Sequence, residues 1–96
     1  MKLHWHEEAR AEADSAAAFY RDKQSGLAQR FLDNLDIALQ RIRRHPLVYR
    51  RVEGEIRKCR VPNFPYGVIY RVRPNDIEII AVMQLRRSPG YWRERR

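Results

Sequence analysis

Two runs rich in β-branched and aromatic residues, Phe64–Val72 and Ile77–Leu85, stand on either side of Arg73-Pro74-Asn75-Asp76. A Pro-Asn-Asp turn between two such runs reads as a β-hairpin, and no other feature narrows the possible folds as much. In the second run one face of an alternating strand carries Ile77, Ile79, Ala81 and Met83, and the other carries Glu78, Ile80, Val82 and Gln84. Its second half is apolar on both faces, which marks a strand inside a sheet rather than at its edge. The run then empties into Arg86, Arg87, Tyr91 and Trp92, so a basic, aromatic cluster sits at a strand end.

The rest of the chain supplies what this hairpin packs against. Lys2-Leu3-His4-Trp5-His6 alternates as a half-buried strand does. Glu7 and Glu8 open a helix where the dipole favours negative charge, and Ala9, Ala13, Ala16, Ala17, Phe19 and Tyr20 give it an apolar face of mainly small residues. Ser25-Gly26 breaks that pattern. A second helix follows, with Ala28, Phe31, Leu32, Leu35, Ala38, Leu39 and Ile42 at three- and four-residue spacing, and it ends before Pro46 with Arg41, Arg43 and Arg44 at its carbonyl end. Two helices so closely joined form an αα-hairpin, and only a sheet can bury both apolar stripes. A basic strand, Ile56–Val61, precedes the β-hairpin, and Ser88-Pro89 looks like a cap and first position for one or two turns of helix over Pro89–Arg96. The expected fold is therefore α+β over residues 1–96: an N-terminal αα-hairpin packed on a small, mostly antiparallel sheet, in the order β-α-α-β-β-β with a short C-terminal extension. Its expected core is Trp5, Phe31, Leu35, Val68, Tyr70, Ile79 and Ala81.

Ninety-six residues suffice for one domain with a modest core. The first twenty residues are too charged for a secretory leader, and no run reaches the length of a membrane span, which points to the cytoplasm and to no membrane partner. Cys59, the only cysteine, falls in an alternating strand and reads as a small core residue. Charge is distributed unevenly. Residues 1–40 carry five basic and seven acidic side chains, whereas residues 41–96 carry fifteen basic and five acidic, a net +10. Arginine supplies all but three of the positive charges, which suits bidentate pairing with phosphate or carboxylate, and a polyanionic partner is implied.

Few constellations carry chemistry. His4 and His6 share a strand face but lack a third ligand, so no metal and no cofactor is expected. No Gly-rich phosphate loop and no serine or cysteine nucleophile with an evident base is present. What remains is a basic and aromatic set: Arg57, Lys58 and Arg60 on the basic strand, Arg71 and Arg73 on the hairpin, and Arg86, Arg87, Tyr91 and Trp92 beyond it. Brought to one surface, these would form an anion-binding concavity with aromatic walls.

The stretches Phe64-Pro65-Tyr66-Gly67-Val68-Ile69-Tyr70-Arg71-Val72 and Arg87-Ser88-Pro89-Gly90-Tyr91-Trp92, together with the order of elements, resemble the RelE/ParE superfamily of bacterial type II toxins. The resemblance spans nearly the whole chain. It implies a growth-inhibiting, plasmid-stabilising toxin neutralised by a cognate antitoxin protein, with one of two targets. RelE-type members cleave messenger RNA on the ribosome without metal, the substrate 2′-hydroxyl attacking its own phosphate. In that case Arg60 and Arg87 would stabilise charge and Tyr91 would donate a proton. ParE-type members poison DNA gyrase by protein contact and need no acid–base pair. Gly67 stands where RelE-type nucleases tend to carry a basic residue, and Gln84 where many relatives have histidine. Glutamine exchanges no proton near neutral pH, so the departures favour the gyrase branch.

Overall fold

A computed structural model describes residues 1–95. Strand β1 (Lys2–Trp5) leads into helix α1 (Glu7–Lys23), which His6 caps by accepting a hydrogen bond from the Glu8 N–H on its Nδ1 (3.1 Å). Gly26, at φ +81°, makes the tight reversal into helix α2 (Leu27–Arg44). Four strands follow, β2 (Arg50–Glu53), β3 (Ile56–Arg60), β4 (Tyr66–Val72) and β5 (Asp76–Gln84), and a single 3₁₀ turn covers Arg93–Arg95. The sheet order is β1-β5-β4-β3-β2, with β1 parallel to β5 and every other pair antiparallel. β5 lies between β1 and β4 over its first half, but its second half, the part apolar on both faces, has β4 alone beside it.

Three features depart from the sequence-based expectation. β2 adds a fourth strand after the helices. It is invisible to pattern reading because three of its four residues are charged and it lies at the sheet edge, with Val52 bulged out of register against β3. Short length, arginines and a bulge are all devices that keep an edge strand from pairing with another chain. The second departure is the phase of β5. Ile69 pairs with Ala81 but Tyr70 pairs with Ile79, so Ile80 is an extra residue and the alternation reverses there. Ile77, Ile79 and Val82 therefore face the helices, while Ile80, Ala81 and Met83 face the other way. Thirdly, Pro89 starts no helix: residues 89–92 are turns. The expected Pro89–Arg96 helix shrinks to the one turn at Arg93–Arg95, and its last residue lies outside the described residues.

The helices bury their stripes on the first face of the sheet. Ala9, Ala13 and Ala16 of α1 and Phe31, Leu35, Ala38, Leu39 and Ile42 of α2 meet Cys59, Val68, Tyr70, Ile77, Ile79 and Val82. Of the expected core, Phe31, Leu35, Val68, Tyr70, Ile79 and Ala81 are buried, whereas Trp5 is only partly so, at the margin with the Arg10 guanidinium 4.8 Å above its ring. The second face has its own small core, Ile56, Ile69, Ile80, Ala81 and Met83, closed by Trp92. The chain after β5 thus folds back over the sheet and covers the side the helices leave open.

Candidate functional site

β1 is four residues long and β5 nine, so β1 stops opposite Ile79 and the second half of β5 has no strand on that side. Side chains take its place. Glu12 of α1 accepts the Val82 N–H on Oε1 (3.0 Å), and Arg95 donates from Nη1 to the Ile80 carbonyl (3.3 Å). The same Glu12 carboxylate gathers the C-terminal segment. Arg95 donates to Oε1 from Nη1 (2.8 Å) and to Oε2 from Nη2 (3.3 Å), the Tyr91 hydroxyl donates to Oε2 (2.6 Å), and Arg87 Nη1 lies 3.7 Å from Oε2. The Arg87 guanidinium stacks 3.5 Å from the centroid of the Tyr91 ring, where the quadrupole favours a cation. Glu12, which holds this cluster together, is absent from the candidate residues that the sequence suggests. The signal was present: an acid at position 12 lies on the Ala9, Ala13, Ala16 stripe, where an unpaired charge would be costly.

Burial, then the hydrogen bond to Glu12 and its negative charge, push the Tyr91 phenol well above its ordinary range. Tyr70, whose hydroxyl donates to the Pro46 carbonyl (2.6 Å), is raised mainly by burial. Both folded pKa values exceed the unfolded value near 10, so the stability these phenols contribute is complete below about pH 10 and is lost as pH rises beyond it. Thermal midpoints should therefore fall steeply between pH 10 and 12, and Tyr91→Phe should make that fall shallower.

Beside the clasp lies an open groove of about 710 Å³, walled by α1 and by Gln84, Arg86, Arg87 and Tyr91, with Phe19, Tyr20, Pro65 and Tyr66 along its apolar side. Tyr20, Phe31, Phe64 and Tyr66 are packed mainly edge-to-face on one another (centroids 4.9–6.3 Å apart). Phe31 is buried in the core, and the partly buried Tyr20 and Tyr66 also line the groove.

The basic and aromatic set does not converge on one surface. Arg57 is 8% exposed on the helix-facing side of β3 and donates from Nη1 to the Tyr49 carbonyl (2.8 Å), so it ties down the chain before β2. Lys58 points to the other side, and Arg60 is exposed at the strand end, beside the turn 61–65. The Lys58 stem lies over Gly67, within 3.1 Å of where a Cβ would stand, so a larger residue there would displace the lysine. Arg71 donates from Nε to Glu78 Oε1 (2.8 Å) across the hairpin, and Arg73 pairs with Asp76 through two bonds (2.6 and 2.7 Å). Both are neutralised at the turn end of the hairpin, about 25 Å along β5 from Arg86. Trp92, expected on the binding surface, is 2% exposed within the second core. Only Arg86, Arg87 and Tyr91 remain together, and Arg60 stands two strand spacings, about 10 Å, from β5.

Comparison with known proteins then decides the family. Residues 3–89 match the family described as ParE toxin of type II toxin-antitoxin system, parDE. The chain belongs to the ParE toxin family. A solved structure, the chromosomal ParDE toxin–antitoxin system from P. aeruginosa, has a chain with the same fold. The TM-score is 0.65 at 18% identity, over 88% of this chain and 96% of that one. No curated protein matches the sequence. No helix among the described residues is long and apolar enough to cross a membrane.

Proposed function

We propose that this ParE-family toxin acts in the cytoplasm as a poison of DNA gyrase, by protein–protein contact, and that a cognate antitoxin neutralises it. The observation that carries the reading is the state of Tyr91. A general acid must present its proton to the leaving oxygen, whereas this phenol gives its hydrogen bond to Glu12 and is made a weaker acid by burial and by that carboxylate. Gln84 and Gly67 supply neither a base nor a further cation. The positive groups that ribonuclease chemistry would need, Arg60 and Arg87, sit on separate parts of the surface. Protein contact needs none of these. It needs an accessible groove with an apolar wall and arginines at its rim, which the surface between α1 and β5 offers.

Gyrase supercoiling with trapping of the cleaved-DNA complex, run beside ribosome-dependent RNA cleavage, tests the proposal. Inhibition and trapping without RNA cleavage are expected. RNA cleavage with unimpaired supercoiling would replace the reading with that of a ribosome-dependent messenger RNA endoribonuclease.

A further inference from the structure

The sheet has a second uncovered edge. β2 stops opposite Lys58, two residues before β3 ends. The Val61 N–H donates to the Tyr66 carbonyl, so the alternation of the β3–β4 ladder turns the Arg60 N–H and carbonyl away from β4, toward the side where β2 has run out. Arg60 and Arg41 of α2 line the same depression of about 400 Å³ there, floored by the turn 61–65. Neither guanidinium has an ion-pair partner among the described residues, and no acidic side chain lines the depression.

The molecule itself shows what such a place accepts. At the corresponding gap beside β5, one carboxylate, Glu12, takes an unpaired strand N–H and two arginines at once. The β3 gap offers the Arg60 N–H, with Arg41 and Arg60 lining the depression beside it and no acid among the lining residues.

We infer that the Arg41–Arg60 depression at the open edge of β3 is a carboxylate-binding site, filled in the toxin–antitoxin complex by an aspartate or glutamate side chain of the antitoxin. Protein carboxylate is favoured over nucleic-acid phosphate because the gap beside β5, which the molecule fills itself, is filled by a carboxylate. The inference rests on the reading of this chain as an antitoxin-neutralised toxin.

Calorimetric titration with the small protein encoded beside the toxin gene tests it. Arg41→Ala/Arg60→Ala should weaken binding about 10- to 100-fold, the usual worth of hydrogen bonds to a charged group. Arg43→Ala/Arg44→Ala removes the same charge from the last turn of α2, away from the depression, and should change affinity less than about threefold, because exposed charges are screened. All four arginines are exposed, so both variants should keep the wild-type Tm. Equal losses in the two variants, or none in the first, would overturn the carboxylate site while leaving the toxin–antitoxin reading intact. Failure of the wild type to bind that protein would overturn the reading itself. A short single-stranded oligonucleotide that binds the wild type and is lost in the first variant, with antitoxin affinity unchanged, would reassign the site to phosphate.

Discussion

Trp92→Ala will lower the stability of this toxin by about 3–5 kcal/mol, the usual cost of emptying an aromatic site in a core. Trp92 is 2% exposed and is the residue that closes the second face of the sheet over Ile56, Ile69, Ile80, Ala81 and Met83. Domains are typically stable by roughly 0.05–0.15 kcal/mol per residue, so this one substitution removes a large share of the total. A fall in Tm of more than about 10 °C should accompany it. Toxicity will be lost as well, through loss of fold rather than of a contact. Trp92→Phe separates the two causes. The Trp92 Nε1–H is buried with no hydrogen-bond partner among the described residues, so phenylalanine discards that donor while keeping most of the apolar volume. Its cost should be clearly smaller, and growth inhibition should survive. A Trp92→Ala protein that melts like the wild type yet fails to inhibit growth would return Trp92 to the contact surface.

The second large effect is expected at Glu12. Its carboxylate is the common acceptor for the Val82 N–H, the Tyr91 hydroxyl and the Arg95 guanidinium, and Arg95 is itself only 11% exposed. Glu12→Ala leaves the Val82 N–H and the Tyr91 hydroxyl without this acceptor and Arg95 with only the Ile80 carbonyl and Glu8, and removing the shared member of such a part-buried network should cost about 3 kcal/mol. The damage should also be local. Hydrogen exchange at the Val82 amide should accelerate, and the tail from Arg87 to Arg95 should become protease-sensitive, while the α2 amides stay protected. Glu12→Gln keeps the shape and an acceptor but loses the charge, so it should fall between alanine and the wild type. Equal urea midpoints for wild type and Glu12→Ala would show that the tail is held by Trp92 alone.

These two residues mark where the sequence stops being legible. The hairpin and the αα-hairpin follow from periodicity, because in each the burial pattern repeats over several residues and overrides local noise. β2 does not, since Arg50, Arg51 and Glu53 leave it one apolar residue. The bulge at Ile80 is hidden for a different reason: apolar residues flank it on both faces, so a phase change leaves no mark on the pattern. That change moves Ala81 and Met83 to the face that Trp92 then covers, and with it the role of Trp92 changes from exposed anchor to core. The scatter of the basic set has a similar origin. Arg57 and Lys58 are neighbours in the chain but lie on opposite faces, and Arg71 meets Glu78 only because the register places them directly across the hairpin. Composition reports the charge of the second half of the chain, but pairing decides which of its arginines remain free.

The central claim is that Tyr91 is a fastening and not an acid, and gyrase cleavage-complex trapping with purified Tyr91→Phe toxin tests it most directly. Phenylalanine keeps the ring under Arg87 and removes only the hydrogen bond to Glu12. The account predicts trapping and supercoiling inhibition at wild-type toxin concentrations, with no RNA cleavage by either protein on ribosomes. A wild-type protein that cleaves ribosome-bound messenger RNA, with that cleavage reduced about 10²–10⁴-fold in a folded Tyr91→Phe variant, would contradict it.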